Sequence, residues 1–151
     1  MSKEKIPVFI KYFSGMIHLI KGIKDKDEEL ITDSINYFEK CENIPSSKAY
    51  ECLAYLILED EDEAFNLCMD AMDKFFNRDE SEESKFDYES LIVSKFCLDH
   101  IEQYKEFSGF KEINKKYNEN IDIALKNKII YQSEINWIKS LIDKSIEKQF
   151  N

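Results

Sequence analysis

Apolar residues recur at helical spacing along nearly the whole chain, and no stretch of strand length keeps strict apolar–polar alternation. That pattern restricts the chain to an all-α fold. Ile6, Phe9, Ile10, Phe13, Ile17 and Ile20 form a first stripe at i, i+3, i+4, i+7 steps, with Pro7 tolerable in the opening turn. The stripe is expected to face the core. Leu30, Ile31, Ser34, Ile35, Phe38 and Cys41 predict a second helix that stops near Asn43–Pro45. Ser46 or Ser47 is placed to cap a third, with Tyr50, Leu53, Ala54 and Ile57 on its face. A fourth starts in the acidic run at 59–63, where Asp60 and Glu63 have capping-box spacing, and buries Ala64, Leu67, Cys68, Ala71, Met72 and Phe75.

The hydrophilic stretch 77–84 (NRDESEES) is the longest connection. Beyond it, Tyr88, Leu91, Ile92, Phe96, Cys97, Ile101 and Tyr104 predict one long fifth helix, ended at Ser108–Gly109 with the glycine in a left-handed cap. Phe110, Ile113, Tyr117, Ile121 and Ala124 mark a sixth. Ile135, Ile138, Ile142, Ser145 and Ile146 mark a seventh. The expectation is one helical domain over residues 1–151, with about seven helices stacked as antiparallel hairpins. Three glycines and two prolines in 151 residues leave too few turn formers for an all-β fold. With 43% hydrophobic and 13% aromatic residues, a packed core is expected despite the charge.

That charge, −10 overall, is concentrated. Residues 25–99 carry 22 acids and seven bases, a net of −15, whereas residues 1–24 carry +4 and residues 100–151 carry +1. Nucleic-acid binding needs cations that displace counterions from phosphate, and Arg78 is the only arginine, so nucleic acid is a poor fit. The longest strictly apolar run, Leu53 to Leu58, is far too short to span a membrane, and Lys11 interrupts any signal-peptide core. A cytoplasmic protein is expected. Cys41, Cys52, Cys68 and Cys97 have no C-x-x-C pair and no metal-ligand spacing to His18 or His100, so four free core thiols and no metal or cofactor are expected.

Catalytic constellations are equally sparse. There is no H-E-x-x-H, no glycine-rich phosphate loop and no G-x-S-x-G. Cys97, Asp99 and His100 lie close in sequence, but neighbouring helix positions diverge by about 100°. A core cysteine and a boundary histidine explain them, and the chain reads as a non-enzyme.

Three acidic clusters precede predicted helices: Asp27, Glu28 and Glu29; Glu59, Asp60, Glu61, Asp62 and Glu63; and Asp79, Glu80, Glu82 and Glu83. Carboxylates in a first turn complement the helix dipole, which accounts for part of the pattern. In a hairpin array the second and fourth helices begin at the same edge, so their acidic turns would merge into one negative patch. These twelve residues are the candidate partner-binding set.

Between residues 30 and 76 the chain resembles the tetratricopeptide repeat, in which small residues let paired helices approach closely. Ser34, Phe38 and Cys41, followed by Pro45, fit a second helix of that pattern; Leu53 and Ala54, then Ala64 and Ala71, fit the next unit. The match departs in a turn before Ala64 that is about two residues short and in Ala54 standing for the usual glycine. In size, acidity and helicity the chain is also similar to the all-helical immunity proteins of contact-dependent growth-inhibition systems. That similarity implies an inhibitor that covers the cationic site of a basic protein, such as a toxin nuclease. Alternatives are a peptide-binding adaptor or secretion chaperone, with Tyr50, Asn66 or Tyr88 in its groove, and a DNA-mimicking phage inhibitor.

Overall fold

The computed structural model describes residues 5–82 and 84–147. It is all-α, and no strand occurs among the described residues. The order is α1 (Lys5–Asp25), α2 (Glu28–Glu39), α3 (Pro45–Ile57), α4 (Glu61–Phe76), α5 (Lys85–Leu98), α6 (Glu102–Glu106), α7 (Phe110–Lys126) and α8 (Gln132–Glu147), with a 3₁₀ turn at Glu80–Glu82. No described helix is long and apolar enough to cross a membrane.

The first five helices pack as an antiparallel series, with α3 at its centre against α2, α4 and α5. Ser46, Ser47, Ala49, Tyr50, Glu51, Cys52, Leu53, Ala54 and Leu56 of α3 are all buried. Small residues sit inside the hairpins, including Ser34, Ala54, Ala64 and Ala71. Helix α8 closes the side of α5, and a single hydrophobic cluster runs from Tyr12 to Ile146.

Several local expectations are corrected. Helix α3 starts at Pro45 with Ile44 as its cap residue. Ser46 and Ser47 are therefore interior: Ser46 Oγ lies 2.7 Å from the Tyr12 hydroxyl, and Ser47 Oγ lies 3.2 Å from Cys41 Sγ. The long fifth helix breaks at Asp99–Ile101, giving α5 and the short α6. Gly109 has φ −89° and opens α7; a Cβ there would lie 2.6 Å from the Phe107 ring, so the glycine makes room for that ring.

The first helix is turned from its expected orientation. Its buried side carries Tyr12, Leu19 and Ile23, while Ile10, Phe13, Ile17 and Ile20 are exposed by 60, 54, 64 and 37%. The side chain of Ile6 lies outside the described residues. The helix is apolar on two sides, and close approach to α2 selects which side turns in. A Cβ on Gly15 would lie 2.8 Å from the Phe38 ring, and one on Gly22 2.7 Å from Ile31.

The cysteines are also corrected. Cys52 and Cys68 are joined by a disulfide, with Cα atoms 5.8 Å apart, and only Cys41 and Cys97 are free. Their positions explain the pairing: each lies eight residues from Asp60, at the α3–α4 turn, so antiparallel helices bring them face to face. Cys97 of α5 completes a buried cluster in which the three Sγ atoms lie within 4.8 Å of one another.

Three helix ends use left-handed residues other than glycine: Lys26 (φ 55°), Glu59 (φ 67°) and Lys128 (φ 57°). In each, the next amide reaches back across the last turn, Asp27 to Gly22 O, Asp60 to Tyr55 O and Ile129 to Ala124 O, all at 2.9 Å. Left-handed backbone costs a non-glycine residue about 1–2 kcal/mol. Lys128→Gly is therefore expected to raise unfolding stability by about 0.5–1 kcal/mol after glycine's own entropy cost, measured by urea titration. Closing the loop between Cys52 and Cys68 contributes about 3 kcal/mol. Cys68→Ser is expected to lose about that much under oxidising conditions, and dithiothreitol should bring the wild-type protein down by a similar amount.

Candidate functional site: the acidic edge

Helices α2 and α4 run in the same direction, separated by α3, so both begin at one edge of the stack. Asp27 caps α2: its Oδ1 accepts from the amides of Glu29 (3.0 Å) and Leu30 (3.3 Å). Asp60 caps α4, with Oδ1 accepting from the Glu63 amide at 3.3 Å. Only this half of the expected capping box forms, because the Asp60 amide is already bonded to Tyr55 O. The two caps thus hold the clusters in place through their own backbone hydrogen bonds.

The clusters meet across a cleft of about 260 Å³ between the α1–α2 and α3–α4 turns, lined by Glu28 and Glu59 with Lys26, Ile23, Leu58 and Ser145 among others. Glu28, Glu29 and the five acids from Glu59 to Glu63 are exposed, and Asp27 is half-buried. None of these eight forms an ion pair with another described residue. The two acidic clusters flank this cleft, with Lys26 in its lining and Lys24 close by in sequence.

The third cluster stands elsewhere. Asp79 and Glu80 follow the far end of α4, about 24 Å of helix away from Glu61. There Asp79 accepts from the amide and hydroxyl of Ser81, bonds that hold its carboxyl below the usual range. Glu82 belongs to the 3₁₀ turn and Glu83 lies outside the described residues. This second edge is mixed in charge. Lys48 pairs with Asp70, Lys74 lies 3.8 Å from the same carboxylate, and the Arg78 guanidinium sits 3.8 Å from the Phe75 ring centre.

The same end carries a larger cleft, about 360 Å³, between the starts of α5 and α8. Ile92, Ile130, Ile138 and Trp137 form its apolar walls, with Glu89 and the Lys85–Glu134 ion pair as its polar groups. Glu89 accepts a hydrogen bond from the Tyr50 hydroxyl, and burial raises its carboxyl above the ordinary range. Helical periodicity could not reveal this cleft, because it depends on where α8 docks.

The residues weighed as a possible nucleophilic set are separated. Cys97 is buried beside Cys52 and Cys68, and burial pushes its thiol pKa up. His100 instead faces Asp143 of α8, Nε2 to Oδ1 at 3.0 Å, while Asp99 pairs with Lys95.

Glu51 of α3 carries no sequence signal, because an acid on a predicted helix is ordinarily solvated. Here it is 4% exposed and one carboxylate oxygen has no hydrogen-bond partner. Burial, reinforced by the negative fields of Glu39 and Glu42, raises its pKa to about 7. The folded chain then holds this proton between about pH 4.5 and 7 where the unfolded chain does not, so Glu51 costs stability as pH rises through that window. Glu51→Gln is expected to unfold like wild type at pH 4 but to be more stable by roughly 1–2 kcal/mol at pH 8, after discounting for screening, measured by urea titrations at both pH values.

No known family model, curated protein or solved structure matches this chain.

Proposed function

We infer that the chain is a non-enzymatic binding protein whose acidic edge covers a cationic surface of a basic protein partner, in the manner of an immunity or inhibitor protein. The observation that carries this reading is the convergence of Asp27–Glu29 and Glu59–Glu63 on one edge, none of them in an ion pair with another described residue. Helix capping alone requires Asp27 and Asp60; it does not require six further carboxylates around them. Eight like charges on one edge repel one another, and a cationic partner relieves that repulsion while drawing the two proteins together. A toxin nuclease, whose substrate cleft must be cationic to hold phosphate, has suitable chemistry.

The Asp79–Glu80 edge, mixed in charge, is not included in the surface.

The test is affinity capture from the native host at about 50 mM and 500 mM salt, comparing wild type with two charge-reversed variants. Glu61→Lys/Asp62→Lys/Glu63→Lys is expected to weaken capture of a basic protein by about tenfold or more at low salt, whereas Asp79→Lys/Glu80→Lys retains it. Equal capture by all three chains at both salt concentrations would overturn the reading.

A further inference from the structure

The cleft between the starts of α5 and α8 takes no part in the acidic edge. Lys85, Glu89 and Ile92 lie on one face of α5, at steps of four and three residues. Ser133, Glu134, Trp137 and Ile138 of α8 form the other side, with Ile130 from the turn before that helix. Ile92, Ile130 and Ile138 are buried, whereas Trp137 is 49% exposed. A volume of about 360 Å³ falls at the lower end of the range for small-molecule sites, about 300–1,000 Å³.

The charges in this lining do not balance. Lys85 is paired with Glu134. Glu89 has no ion pair among the described residues, and its hydrogen bond comes from the Tyr50 hydroxyl to Oε1. One carboxylate oxygen of Glu89 therefore has no donor from the described residues, in a site whose inner walls are hydrocarbon. A half-buried carboxylate in such surroundings gains from a cation that can also cover the apolar walls.

Two helix starts at one cleft would ordinarily attract an anion. Here each start carries its own acid. Asp87 accepts from the Ser84 amide at 2.6 Å, and Glu134 accepts from the Tyr131 amide at 3.2 Å. An anionic ligand would meet Glu89 as a like charge, and a bare metal ion would leave the isoleucines uncovered. An ammonium on an apolar stem suits both parts of the lining: its N–H groups can donate to Glu89, its stem covers Ile92, Ile130 and Ile138, and an indole wall attracts cations to its face.

We propose that the α5–α8 cleft is a binding site for a small organic amine, a primary ammonium on an apolar or aromatic stem, with Glu89 as its counterion and Trp137 in its wall.

Trp137 is the only tryptophan of the chain, so its fluorescence reports on the cleft. Benzylamine, benzyl alcohol and benzoate are similar in shape and are cationic, neutral and anionic at neutral pH. Benzylamine is expected to give a saturable change with Kd about 1 mM or below, at least about tenfold tighter than benzyl alcohol, with no saturation by benzoate. Glu89→Gln is expected to abolish the preference for benzylamine over benzyl alcohol, with an unchanged helical circular-dichroism spectrum. Lys85→Met removes the cation that competes for Glu89 and is expected to tighten benzylamine binding about threefold. A purely apolar cavity would not respond to the two variants in opposite directions. Equal affinity for benzylamine and benzyl alcohol would overturn the proposal, and so would the absence of any saturable change. Preference for benzoate would overturn it by assigning the cleft to an anion held by Lys85. Tighter binding of a glycyl-lysyl-glycine peptide than of benzylamine would also overturn it, since the occupant would then be a lysine side chain of a protein.

Discussion

Helix α3 has almost no solvent face, and the rest of the structure is arranged around satisfying it. Pro45 to Ile57 is packed against α2 and α4, its chain neighbours, and also against α5. Burying one helix on several sides gains apolar burial at the cost of burying its polar groups too. Ser46 and Ser47 have partners, whereas Glu51 keeps one carboxylate oxygen without one. The disulfide to Cys68 further ties α3 to α4. Once α3 is central, α2 and α4 must run antiparallel to it and parallel to each other.

The proposed binding surface follows from that direction. Two acidic helix starts, about 30 residues apart in sequence, fall on one edge because one helix lies between them. The third acidic segment falls on the opposite edge because it follows α4 instead of preceding it. Local sequence treats all three clusters alike; only the alternation of helix direction sorts them. The sorting also separates an edge without internal ion pairs from one where Lys48, Lys74 and Arg78 are mixed among the acids.

Much of this was legible in the sequence because helical periodicity and capping are local. The all-α class, most helix positions and the capping of α2 by Asp27 and of α4 by Asp60 follow from residues within a turn or two of one another. What was illegible depended on tertiary contact. Helix α1 has two apolar sides, and periodicity alone cannot say which is buried; Phe38 and Ile31 decide it by meeting Gly15 and Gly22. The Cys52–Cys68 pairing had a signal, the symmetry of both positions about Asp60, but it could be read only with the α3–α4 turn fixed. Glu51 had none, since its burial depends on the crowding around α3.

On the proposed function, the two acidic turns at Asp27–Glu29 and Glu59–Glu63 act as one surface and the third does not. Amide chemical shifts recorded while a lysine-rich peptide is titrated into the protein test it most directly. Asp27–Glu29 and Glu59–Glu63 are predicted to shift together along a single binding curve, with Asp79–Ser81 unmoved. Shifts centred on Asp79–Ser81, or spread evenly over both edges, would contradict it.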